Sequence, residues 1–253
     1  MTADQVAVVG LWHLGSVLAS GLASYGIDTI GLDRDETIID GMNRGERPLF
    51  ELGLAEAVQA GIDGGSLWFR GDSRALAEAR FVWPAADSEL GDNDSFDTGA
   101  LRSLVYWFAP YVRPDAISLI SSQVPIGTTE SLRDELSRAR PDWQPRVAYI
   151  PENLRLGSAI EPFHHPDWLV VGADDETAAE VTRLLAPIKR GATVKAAALL
   201  STLTTCWPRR PTVWTQITSR LVARARGCGD EYGSWDHRGW AAGASEGASP
   251  RPD

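Results

Sequence analysis

Two glycines and a carboxylate are the first residues of this chain whose types and spacing suggest chemistry. Gly10 and Gly15 bracket GLWHLG, and Asp33 follows eighteen residues after Gly15. In a loop that joins a strand to a helix, the first glycine makes a tight turn and the last lets helix and strand approach closely. The N–H groups that begin the helix then face a phosphate. A carboxylate at the end of the next strand accepts hydrogen bonds from a ribose diol and repels a 2′-phosphate, so the pattern favours NAD over NADP. The candidate cofactor residues are Gly10, Leu11, Trp12, His13, Leu14, Gly15 and Asp33. Arg34, beside the carboxylate, works against that preference.

The loop departs from its usual form at Trp12, where the middle glycine normally lets the backbone reach the pyrophosphate. With a negative φ and an outward ring the indole costs as little as about 1 kcal/mol; forced strain reaches roughly 3 kcal/mol. His13 either touches the pyrophosphate or is an ordinary exposed loop histidine. The pair His164-His165 has no Cys, Asp or Glu at ligand spacing, so a surface or capping role is the better reading and no metal is expected. The acidic run from Asp87 to Asp97 reads as a solvated loop.

These residues need a scaffold, and the chain supplies alternating strand and helix patterns. Strands are expected at 6–9, 29–32, 66–69, 81–84, 116–121, 147–150 and 169–171, and helices at 14–25, 35–44, 54–60, 74–79, 98–111, 129–138 and 176–185. The helix opened by Gly15 reads as amphipathic. Such alternation implies an α/β fold of Rossmann type, doubly wound around a mostly parallel sheet. Gly26 suits a left-handed helix stop, and Asp35 and Asp175 suit helix starts. Trp68, Trp83 and Trp107 lie on apolar runs and are expected in the core.

The net charge of -10 over 253 residues argues against nucleic-acid or anionic-membrane binding. No run approaches the roughly 20 apolar residues of a membrane span, there is no signal pattern, and two cysteines build no disulfide framework; the expectation is a cytoplasmic protein. The balance is uneven. Up to Lys195 there are 29 acidic and 17 basic residues, whereas the remainder has 5 and 7 and holds both cysteines and four of ten tryptophans. The expected division is a nucleotide-binding domain over 1–195 and an irregular tail over 196–253, its composition that of a GC-rich gene read in a shifted frame.

Further segments carry a family resemblance. NRGERPLFELGL (43–54), SSQVPIGTT (121–129), PENLRLGSAI (151–160) and HPDWLVVG (165–172) follow the glycine loop in order. Together they resemble the N-terminal NAD-binding domain of the UDP-glucose/GDP-mannose dehydrogenases, which oxidise a nucleotide sugar at C6 in polysaccharide biosynthesis. The resemblance implies that Glu152 is an acid–base group and that Ser122 sits by the nicotinamide. Gln123 stands where the family has a water-orienting threonine, and Leu156 where it has a second glutamate that contacts NAD. Ser88 offers the hydroxyl of the family's threonine-proline cofactor loop. Neither Cys206 nor Cys228 has the context of the family's nucleophile, and no lysine follows Lys195.

The reading is thus a cofactor half that is truncated and catalytically incomplete. A nucleotide sugar is the implied ligand, and the assembly is a homodimer or a complex with a partner chain. A non-catalytic nucleotide-binding or subunit-interaction module is the alternative, and a non-functional gene product the third.

Overall fold

The computed structural model describes residues 4–86, 97–125, 127–151, 154, 156–166, 168–188 and 193–197. The chain divides into two compact units, Met1–Thr205 and Cys206–Asp253, and every described residue belongs to the first. The expected tail lies outside the described residues, apart from two positions at its start.

Among the described residues eight strands form one sheet: β1 (Val6–Val9), β2 (Thr29–Leu32), β3 (Leu67–Arg70), β4 (Phe81–Pro84), β5 (Ile117–Ile120), β6 (Arg146–Tyr149), β7 (Trp168–Gly172) and β8 (Thr193–Ala197). Their spatial order is β3-β2-β1-β4-β5-β6-β7-β8, and all neighbours are parallel except β6 and β7. The first six follow the order of a dinucleotide-binding fold, with the reversal of winding between β1 and β4. β1, β2, β4 and β5 are buried along their whole length, as continuous apolar runs in a covered parallel sheet should be. The edge strand β3 alternates instead and leaves Trp68 exposed, so that indole is not core.

Seven α-helices among these residues connect the strands: α1 (His13–Ser24), α2 (Glu36–Asn43), α3 (Leu54–Asp63), α4 (Gly99–Phe108), α5 (Thr128–Ala139), α6 (Ile160–His164) and α7 (Asp175–Leu184). Residues Ser73–Ala77 form a 3-10 turn where a helix is expected. Asp35 caps α2 by accepting from the Thr37 N–H, and Gly26 has φ +73° after α1. For α7 the cap is Asp174, which accepts from Thr177; Asp175 is already helical.

The helix α1 is not amphipathic. Every residue from His13 to Ala23 is buried, because the helix is covered by the sheet and also packs against α3 and α6. Two serines tolerate this by bonding back to the chain: Ser16 Oγ donates to the Leu11 carbonyl (2.8 Å) and Ser20 Oγ to that of Ser16 (2.8 Å). The close approach of α6 rests on Gly21, where a Cβ would meet the Phe163 ring at 2.3 Å. Among the described residues no helix is long and apolar enough to cross a membrane.

Candidate functional site

The site is built from loops at the carboxyl ends of β1, β2, β4, β5 and β6, where open α/β sheets bind ligands. The turn after β1 requires both of its glycines. Gly10 has φ +93°, and a Cβ there would lie 2.9 Å from the Ala85 carbonyl oxygen. At Gly15 a Cβ would sit 1.7 Å from the Gly10 carbonyl oxygen, so no larger residue lets α1 start so close to β1.

Trp12 is accommodated without the strained conformation. It stands at the N-cap position of α1 with φ -75°, makes no side-chain capping bond and is 53% exposed, so much of the residue lies in solvent. Leu11 and Leu14 bury their side chains in the core, and their part in any cofactor contact is through backbone. The groups that begin α1 thus keep the character of an anion site.

Asp33 closes the next loop. Its Oδ2 accepts from the Leu11 N–H at 2.7 Å and its Oδ1 from the Asp35 N–H at 3.0 Å. A carboxylate offers about four lone-pair positions, so two remain for a diol. Arg34 turns away from its neighbour. Its guanidinium donates to the backbone carbonyl and the hydroxyl of Ser103 in α4, and lies 5.2 Å from the centroid of Trp107. Trp107 is therefore a half-buried platform for Arg34 and not a core residue.

His13 is not the ordinary exposed loop histidine that was one of the two expectations. It is buried, and its Nε2 lies 3.1 Å from Glu51 Oε2. Glu51, only 2% exposed, accepts two further hydrogen bonds, from Gly157 N–H to Oε2 and Ala159 N–H to Oε1, both at 2.7 Å. One buried carboxylate thereby joins the start of α1 to the segment before α6. Sequence reasoning left Glu51 without a role. Its signal was an acid between Phe50 and Leu52 in an otherwise apolar stretch, ahead of a glycine with φ +82° at Gly53.

The other half of the crevice is tied by hydroxyls. Trp83 Nε1 donates to Ser121 Oγ (2.9 Å), which donates to the Ile150 carbonyl (2.6 Å), linking the ends of β4, β5 and β6. Ser122 is buried and donates to the Ala86 carbonyl at 2.7 Å, leaving its oxygen lone pairs as acceptors. Gln123 follows it, half-buried, and Leu156 is 69% exposed. Glu152, Ser88 and the acidic run from Asp87 to Phe96 lie outside the described residues, as do Cys206 and Cys228. No cluster of three metal-ligating side chains occurs among the described residues; His164 pairs its Nδ1 with the Tyr25 hydroxyl at 3.2 Å.

A search of family models matches residues 4–188 to the UDP-glucose/GDP-mannose dehydrogenase family, NAD binding domain. A UDP-glucose 6-dehydrogenase of Pseudomonas aeruginosa is 30% identical over 192 residues, covering 74% of this chain and 42% of the relative. One from Rhizobium meliloti is 29% identical over 173 residues, 67% of this chain and 39% of the relative. The chain thus spans about two fifths of the length of these curated relatives. Among solved structures, a UDP-glucose dehydrogenase from Pyrobaculum islandicum superposes with a TM-score of 0.69 at 27% identity, covering 76% of this chain and 46% of that one. A GDP-mannose dehydrogenase ternary complex shares the fold with a TM-score of 0.69 at 22% identity, covering 88% of this chain and 50% of that one. The loop, the strand order and these matches agree: the chain belongs to the UDP-glucose/GDP-mannose dehydrogenase family and carries its Rossmann-type NAD-binding domain.

Proposed function

We propose that residues 1–195 bind NAD across the crevice between β1 and β4 as the cofactor half of a nucleotide-sugar 6-dehydrogenase. The single observation that carries this reading is Asp33, fixed by two backbone N–H groups with lone pairs to spare, beside a helix start that only Gly15 permits. In it, Asp33 holds the adenosine ribose, the backbone that begins α1 after Leu11 faces the pyrophosphate, Ser122 sits by the nicotinamide, and Ser88 offers the hydroxyl of the cofactor loop. Bound NAD supplies the hydride acceptor. Glu152 acts as the acid–base group and Gln123 orients water, in a cytoplasmic protein whose ligand is a UDP- or GDP-hexose.

The chain by itself does not complete the oxidation. Conversion to a uronate needs a thiolate beside the nicotinamide, and neither Cys206 nor Cys228 has the sequence context of the family's nucleophile. The assembly in this reading is a homodimer or a complex with a partner chain, and of the two only a different partner chain would bring the thiolate. Leu156 and Gln123, where the family has glutamate and threonine, favour a second reading as a non-catalytic nucleotide-binding module.

Titration calorimetry with NAD and NADP tests the site. NAD is expected to bind at least tenfold more tightly than NADP, and Asp33→Ala to weaken NAD about tenfold. Equal affinities, or an inert Asp33→Ala, would remove the assignment. NADH production with UDP- and GDP-hexoses tests the incompleteness. Sustained release of two NADH per sugar, abolished by Cys206→Ser or Cys228→Ser, would overturn it.

A further inference from the structure

The residue after the ribose-binding carboxylate is an arginine, and an arginine near this position is the group that accommodates a 2′-phosphate in NADP-binding folds. In this chain its side chain is already engaged. The guanidinium of Arg34 makes two hydrogen bonds to Ser103, one to the hydroxyl at 3.2 Å and one to the backbone carbonyl, and stacks over the ring of Trp107. All three contacts are with α4, the helix that follows β4, so the positive charge is drawn from the β2 end toward the other half of the fold. Asp33 next to it is held by backbone N–H groups and not by Arg34, and its charge stays unneutralised by its neighbour.

We propose that α4 sets the cofactor preference: Ser103 and Trp107 hold Arg34 away from the ribose, and Asp33 alone then faces the diol. Trp107 and Ser103 are specificity-determining residues although neither belongs to the phosphate loop. The inference rests on the NAD site proposed above. Removing the ring and the hydroxyl leaves Arg34 one neutral carbonyl acceptor, and a charge-assisted pair with a phosphate is the stronger alternative. An arginine freed in this way serves NADP.

The experiment is calorimetry of NAD and NADP with the full chain, its Arg34→Ala variant, the Ser103→Ala/Trp107→Ala double variant, and the triple variant that adds Arg34→Ala. All substituted side chains are exposed or half-buried, and circular dichroism melts verify that each variant folds. In the unmodified chain Arg34→Ala is expected to leave NADP affinity within twofold. The double variant is expected to bind NADP about tenfold more tightly with NAD affinity within twofold, and the triple variant to lose that gain. A large loss of NADP affinity on Arg34→Ala in the unmodified chain shows that Arg34 already serves the phosphate and overturns the proposal. So does a double variant whose preference is unchanged, or a gain that survives in the triple variant. Failure of the unmodified chain to bind NAD at all overturns the site itself; normal NAD binding with any of the preceding results overturns only the role of α4.

Discussion

The two ends of the sheet handle charge in opposite ways. At the amino ends of β4 and β6, charges neutralise one another: Glu180 of α7 is bonded by Arg80 at 2.5 Å and by Arg146 at 2.7 Å, and Asp115 lies 3.8 Å from Arg80. At the carboxyl ends, Asp33 takes its hydrogen bonds from backbone N–H groups, and Glu51 from backbone N–H groups and a histidine ring. An ion pair uses up a carboxylate, whereas a backbone donor orients it and leaves capacity for a ligand. At one end carboxylates are held by guanidinium groups and at the other by backbone N–H groups, and the sequence alone does not distinguish an acid of one kind from an acid of the other.

The most direct way to break the comparison is at the glycine contact. Gly15→Ala places a methyl group 1.7 Å from the Gly10 carbonyl oxygen, so β1 and α1 must separate. A stability loss of about 3 kcal/mol or more is expected in urea denaturation, with NAD binding lost. A variant that binds NAD normally would show that the loop does not need the close approach.

Glu51→Gln comes next. The amide keeps one acceptor but turns an NH2 toward a backbone donor, leaving buried groups unpaired. The expected cost is about 2 kcal/mol. Faster amide exchange is expected at Gly157 and Ala159, which Glu51 holds. Unchanged exchange there would mean that the carboxylate is not what orders the segment.

The smallest effect is at acidic pH and belongs to carboxylates away from the cofactor loop. Burial alone would raise the pKa of Glu135, but hydrogen bonds from Tyr106, Ser131 and Arg102 bring it down to about 2. Glu180 is likewise lowered, burial being outweighed by Arg146 and Arg80. A depressed carboxylate contributes stability that is complete above its unfolded pKa and is lost as pH falls through the folded one. Stability is therefore expected to decline between about pH 5 and pH 2, with about 1 kcal/mol traceable to Glu135 after solvent screening. Glu135→Gln should flatten that part of the pH profile, and an unaltered slope would contradict the assignment.

The backbone plan was legible because buried parallel strands are short continuous apolar runs: the expected spans 6–9, 29–32 and 81–84 coincide with β1, β2 and β4. Two elements escaped. The five-residue α6 is too short to show a helical period, and β8 runs across the boundary expected at residue 195, where the compositional change masked its pattern. The same limit misread α1 as amphipathic, since periodicity does not reveal that a helix is covered on every side.

What the sequence determined by itself is the local chemistry: which glycines a turn and a close contact demand, which strand ends in a carboxylate, and which family segments follow in order. Each is set by residues near one another along the chain. Which polar groups are used up, and which stay open, was decided only by the tertiary structure. His13 meets Glu51 across 38 positions, Arg34 meets Ser103 across 69, and Glu51 meets Ala159 across 108. Such pairings depend on how the strand order folds distant loops onto one edge of the sheet, and no local pattern encodes that proximity.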